Sequence, residues 1–358
     1  MEKTLYIKKR DFNMDLLRVM ASLMVVVLHV SGLNWYTASV STSQWKALNF
    51  YDSAVRSCVP LFFMLSGKLL LEKNSIISLH DLLFKKSLRL FTVYIFWSLF
   101  YAIDTIGIGS IFSKAGITSL FFTFANAKYH LWFLPVMIGI YLLFPILYSF
   151  TRYENGKYLA YACYLFLIFG ILQTTLNLGN NFIVIDSFPI INLLGKMRYE
   201  LIGYSGYFLL GFYLAKRQYN NIKIRHLLLF LMSTIIISSQ LGAKYSLHID
   251  EPSSILFGYM TLPVFLETIF IYIIFLKLNT QNIPLKIQIL VTNISKNSLL
   301  IYVLHPFILQ HLDQNFNIST MSFNAIFSVP LISIFIFSIC ICTGKILYKI
   351  PILNKWFI

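Results

Sequence analysis

Apolar residues fill this chain in long blocks separated by short polar stretches. The first block follows Met14-Asp15 and runs, with one basic interruption at Arg18, through Leu33. A helix needs about 20 predominantly apolar residues to cross the hydrocarbon core of a bilayer. By that measure the pattern predicts about ten spans, at 15–33, 51–72, 84–107, 130–150, 158–177, 198–216, 226–243, 257–278, 296–312 and 323–348. The expected fold is all-α, a polytopic transmembrane helical bundle forming one integral membrane domain over residues 1–358. The connecting loops are short, and no water-soluble domain is expected between spans or at either end. Neither an internal repeat nor a low-complexity tract stands out.

Composition agrees with this pattern. The chain is 58% hydrophobic and 12% charged, with a mean hydropathy of +0.72, which is outside the range of ordinary soluble domains. The first block is long, carries Arg18 and lacks a small-residue cleavage site, so it reads as a span and not as a removable signal peptide. Cys58, Cys163, Cys340 and Cys342 all fall in predicted spans and read as small apolar residues. No CxxC, HExxH, phosphate-loop or GxGxxG pattern is present, so metal, ATP and NAD chemistry have no support.

The net charge of +15 would suit a nucleic-acid partner, but its distribution argues for topology instead. With the N-terminus placed in the cytoplasm, 20 of the 29 Lys and Arg residues fall on the inner side and 7 on the outer side. The positive-inside rule then puts both termini in the cytoplasm. Nucleic acid is not an expected partner; membrane lipids are.

Against this background the polar residues inside spans carry the chemistry, because an ionisable group in a bilayer is costly. Arg18 and His29 lie eleven residues apart, close to three helical turns, so they share one face about 16 Å apart along the axis. Asp15 and Ser22 fall near that face, and Arg18 can also pair with Asp15, three residues earlier. His29 lies past the midplane. Its plain alternative role is a histidine satisfied by a neighbouring helix; its chemical role is a base near pH 7. Arg18 can snorkel to the inner headgroups or grip a phosphate with its guanidinium. Lys85, Lys86 and Arg89 sit on the inner side near the start of span three and can share that anion site, or serve only as inner-side charge.

Span two runs Val59-Pro60-Leu61-Phe62-Phe63-Met64-Leu65-Ser66-Gly67-Lys68. Pro60 can open the backbone ladder, and Ser66-Gly67 permits close helix approach. Lys68 either snorkels or joins the anion site. Span four opens with Tyr129-His130-Leu131-Trp132, either an aromatic belt or, through His130 and Trp132, a sugar contact at the outer surface. In span nine Ser295, Ser298, Tyr302 and His305 are spaced to form one polar stripe on an otherwise apolar helix. Glu267 lies in the middle of span eight and needs a partner or a proton.

Together these residues resemble the acyltransferase-3 family of bacterial integral membrane acyltransferases, over nearly the whole chain. Arg18 and His29 match its Arg-x10-His motif, Val59 to Gly67 its span-two signature, His130-Leu131-Trp132-Phe133 its span-four signature, and Asn297 to His305 its late Ser-x-x-x-Tyr-x-x-His pattern. The chain is similar to the short, membrane-only members. Many members carry Arg-x-x-Arg after span two; here Lys86-Ser87-Leu88-Arg89 stands in its place, keeping the charge but losing a bidentate fork.

The resemblance implies a multi-pass protein of the bacterial plasma membrane. It would move an acyl group, most often acetyl, from cytoplasmic acyl-CoA to a hydroxyl of a surface polysaccharide or lipid-linked glycan. No resident cofactor is expected; acyl-CoA is a co-substrate. In that scheme Arg18, with Lys85, Lys86, Arg89 and Lys68 near it, holds the CoA phosphates. His29 acts as base or carries the acyl group, and Tyr302 and His305 steady the oxyanion or orient His29. His130, Trp132 and Glu267 would meet the acceptor. A transporter or flippase for a lipid-linked sugar, relaying protons through His29, Glu267 and His305, is the alternative.

Overall fold

The structure is a computed structural model that describes residues 10–72, 78, 80–179, 203–347 and 349–350. Among these residues it is all-helical, with no strand. The first helix, α1 (Phe12–Trp35), starts where Asp11 caps it by accepting the Met14 N–H. It is followed by α2 (Ser43–Val55), capped by Thr42, and α3 (Cys58–Leu71). A π-helical segment, Asp81–Ser87, leads into α4 (Leu88–Ile106). Next come α5 (Lys114–Asn126), the 3-10 turn Tyr129–Trp132, and α6 (Phe133–Arg152). Then α7 (Lys157–Leu165) passes through a π-helical segment into α8 (Gln173–Gly179). The chain continues through α9 (Gly203–Ala215), α10 (Ile224–Ile249), α11 (Leu262–Lys277), α12 (Leu285–Lys296), α13 (Ser298–Phe316) and α14 (Ala325–Leu347).

Among the described residues, eight helical stretches are long and apolar enough to cross a membrane, or nine when the bent pair α12–α13 is taken as one span. The sixth predicted span, 198–216, coincides with α9 from Gly203 onward. Its first residues, with Arg198 and Glu200, lie outside the described residues, as do Lys3, Lys8, Lys9, Lys73, Lys196 and Lys355. The chain is thus a multi-pass membrane protein.

Three departures from the sequence pattern have local causes. Span two begins earlier, at Ser43, and is broken at Arg56-Ser57 into α2 and α3. Pro60 has no N–H for the Arg56 carbonyl, and its ring crowds that carbonyl, so the helix parts one turn before it. The predicted polar stripe of span nine is bent by 65° between α12 and α13, which leaves Ser295 on one helix and Ser298, Tyr302 and His305 on the next. Finally α5 forms in what the pattern left as a loop. It is too short to span, and it exposes Ile117, Phe121 and Phe122, as a helix lying in a membrane interface does.

Helix α1 is the hub, packed against α2, α3, α11, α12, α13 and α14. The α3–α9 contact is the most extensive among the described helices, for a reason written in the sequence. A Cβ placed on Gly67 would meet the Phe208 carbonyl oxygen at 1.7 Å, and one on Gly211 the Met64 carbonyl oxygen at 2.1 Å. The two backbones touch through glycine, as expected for Ser66-Gly67.

Candidate active site

The intramembrane histidines converge. His29 of α1, His305 of α13 and His130 of the 3-10 turn form a triangle, with ring centroids 5.0 Å apart for His29–His305, 6.4 Å for His29–His130 and 6.0 Å for His130–His305. Tyr129 closes on His29 from the same turn at 5.3 Å.

The supports of this cluster come from α4 and α13. Pro306 interrupts the α13 ladder, and one residue later the Tyr101 hydroxyl enters it. That hydroxyl accepts the Phe307 N–H at 3.2 Å and donates to the Val303 carbonyl at 2.7 Å, so both of these backbone groups are satisfied where the helix opens. The Tyr101 ring also packs edge-on against His130. Tyr302 donates its hydroxyl to the His130 carbonyl and ties the turn to α13. His305 holds its ring with Nδ1 at 2.8 Å from the Ile301 carbonyl. A carbonyl only accepts, so the proton lies on Nδ1 and the lone pair on Nε2. Nε2 is buried and has no hydrogen-bond partner among the described residues.

Two cavities meet at His29. One, of about 120 Å³, is an apolar slot reaching inward to Val25, Phe62 and Ser298. The other, of about 480 Å³, opens toward the Trp35 end of α1 past Tyr36 and Tyr129. His29, Leu28, Trp132 and Tyr259 line both. Trp132 faces Tyr259 nearly in parallel, at 29° and 5.8 Å.

The basic residues divide into separate groups. Arg18 and Arg89 act electrostatically on Tyr141 of α6, and the Lys86 ammonium lies 6.0 Å from the centre of that ring. Arg18, Lys86 and Arg89 are therefore gathered about one tyrosine. The slot ends at Val25, so Arg18 lies beyond its inner limit. Asp15 is not the partner of Arg18: it is bound by Arg10 at 2.5 and 2.8 Å and accepts from Ser295 at 2.7 Å. Among the described residues no hydrogen bond or ion pair holds the Arg18 guanidinium.

Lys85 instead pairs with Asp81 at 2.5 Å on the exposed surface. Lys68 pairs with Asp11 at 2.5 Å and lines a different cavity with Arg152 and Lys216. Glu267 does not line the histidine chamber. It is buried against α10, with one oxygen accepting from Ser238 at 3.4 Å and the other without a partner among the described residues.

One feature of the chamber was not anticipated. Asp52 and Arg56, four residues apart at the end of α2, form a part-buried ion pair in the wall of the larger cavity. The signal was present as an acid and a base at helical spacing near the outer end of a predicted span. In the charge pattern Arg56 counted only as an outer-side residue.

A bundle of membrane-spanning helices with histidines and a cavity at its centre defines an integral membrane protein built for chemistry inside the bilayer. The chain matches the family model of the acyltransferase-3 domain, described as an acyltransferase domain, over residues 11–345. It belongs to that family and is a membrane acyltransferase. No curated protein and no solved structure matches it significantly.

Proposed function

We propose that the protein is an O-acyltransferase of the bacterial plasma membrane, with both termini in the cytoplasm. It would move an acyl group, acetyl in the simplest case, from acyl-CoA to a hydroxyl of a cell-surface polysaccharide or lipid-linked glycan. The observation that carries this reading is the position of His29 at the junction of two cavities. The narrow apolar slot runs toward the Arg18 end of the bundle and suits a thin thioester-bearing arm. The wider, aromatic-walled cavity opens at the opposite end and suits a sugar.

In this reading Arg18, Lys86 and Arg89 hold the CoA phosphates, a task suited to guanidinium and ammonium groups. Side chains between Arg18 and Val25 must part for the arm to reach the slot. The acceptor hydroxyl meets His29, which takes its proton. The hydroxyl oxygen attacks the thioester carbonyl, the carbon–sulfur bond breaks, and the proton passes from His29 to the departing CoA thiolate. His305 is the natural partner of His29, since its ring lies 5.0 Å from that of His29 and its Nε2 has no hydrogen-bond partner among the described residues. The Tyr302 hydroxyl donates its hydrogen bond to the His130 carbonyl, so in this reading it positions the turn and leaves the oxyanion to other groups. Lys85 and Lys68, both paired with carboxylates, and Glu267, outside the chamber, have no part in this scheme.

Purified protein with labelled acetyl-CoA and a glycan acceptor tests the reading. Transfer by the native chain and its loss in a folded His29→Ala variant are expected. Undiminished transfer in that variant would overturn the role of His29. Labelled protein in a rapid quench without acceptor would identify an acyl-histidine intermediate in place of direct attack.

A further inference from the structure

The Asp52–Arg56 pair is built in an unusual way for a structural ion pair. Arg56 Nε and Nη2 both donate to Asp52 Oδ2, at 2.8 and 2.6 Å. Asp52 Oδ1 makes no hydrogen bond among the described residues. An arginine has five N–H donors; two are used here, and nothing described takes the other three. Both side chains line the cavity that contains His29, Trp132 and Tyr259. The pair therefore offers that cavity an open carboxylate oxygen beside open guanidinium donors.

Its position is held on both sides. Asn49, one turn earlier on α2, donates to the Ser239 carbonyl at 3.0 Å and accepts from the Trp35 indole at 3.3 Å. Trp45 donates to the Trp35 carbonyl at 2.9 Å. These bonds clamp α2 to α1 and α10. The break before Pro60 ends α2 at Arg56, so the guanidinium stands at the rim of a helix end and is not covered by a following turn.

We infer that Asp52 and Arg56 form the acceptor subsite, reading two neighbouring hydroxyls of an uncharged sugar ring stacked beside Trp132 and Tyr259. This rests on the acyl-transfer reading above. One hydroxyl donates to Asp52 Oδ1, and its neighbour accepts from the guanidinium; a vicinal diol supplies both roles at the matching spacing. The aromatic faces take the apolar C–H face of the ring. The charge of Arg56 is already balanced by Asp52, so an added carboxylate on the sugar gains little and meets Asp52. The subsite thus selects neutral sugars over uronic acids.

The test uses the full chain in nanodiscs with methyl β-D-glucopyranoside and methyl β-D-glucuronide as probes. Ligand-observed saturation-transfer NMR reads binding, and acetyl-CoA turnover reads transfer. The native protein is expected to bind the glucoside more tightly than the glucuronide. Asp52→Asn and Arg56→Gln each remove charge-assisted bonds, so glucoside affinity should fall about tenfold or more, with acetyl-CoA KM within about twofold. Asp52→Asn also frees the guanidinium, and the preference should turn toward the glucuronide, which a merely structural role would not produce. Should a lone buried charge prevent folding, the double variant Asp52→Asn/Arg56→Gln keeps the site neutral and should still lose the glucoside. Unchanged glucoside affinity in that folded variant, or native protein that binds neither probe, overturns the subsite. Native protein that binds the glucoside but never acetylates it refutes acetyl transfer from acetyl-CoA to a sugar held here and leaves the diol subsite standing.

Discussion

His29 on α1 and His305 on α13 pack ring against ring, with centroids 5.0 Å apart. The Ile301 carbonyl fixes the proton of His305 on Nδ1, so the nitrogen left for chemistry is an acceptor. A base that must take a proton and return it gains from such a neighbour. His305→Gln should therefore lower kcat by about a hundredfold, with the KM for acyl-CoA unchanged. Steady-state kinetics with the donor varied checks this, and an equal loss in KM would reduce His305 to a packing residue.

Arg18, unlike Lys85 and Lys68, has no carboxylate partner among the described residues. Arg18→Gln should weaken acyl-CoA binding by about tenfold or more, the usual effect of losing a charged hydrogen bond. Lys85→Ala should leave it unchanged, since Lys85 is exposed and paired with Asp81. Calorimetric titration of acyl-CoA onto the two variants separates them; equal affinities would remove Arg18 from the donor site.

Tyr101 stands in for a missing helical hydrogen bond. Tyr101→Phe leaves the Phe307 N–H and the Val303 carbonyl without their bridge, at a cost of about 1–3 kcal/mol. Thermal melting in detergent should show the loss. Turnover should fall as well, because the same stretch of α13 holds His305 and Tyr302.

Gly67 is required by backbone contact. Gly67→Ala would push a methyl into the Phe208 carbonyl and should cost about 3 kcal/mol. Gly139→Ala, where nothing lies within 4 Å, is the control. Comparable melting temperatures for the two variants would mean that α3 and α9 can separate without penalty.

Much of this protein is legible in one dimension, and the reason is the solvent. A bilayer makes every buried charge costly and demands long apolar helices, so spans and misplaced polar residues stand out without any knowledge of packing. That logic selected His29 and His305, while the aromatic run at the outer surface pointed to His130 and small residues marked Ser66-Gly67 as a point of close approach. Partner choice was not legible. Asp15 lies three residues from Arg18, yet it binds Arg10 and Ser295 because the bend between α12 and α13 turns Ser295 toward α1.

Lys68 and Lys85 carry the charge expected of an anion site, but Asp11 and Asp81 reach them first. Arg56 looked like one more outer-side charge until the break before Pro60 placed it and Asp52 in the cavity wall. Hydrophobic burial in a membrane sets where each helix must lie along the bilayer normal. Only the contacts between helices, through glycine at α3–α9 and through broken turns at Pro60 and Pro306, decide which polar groups meet.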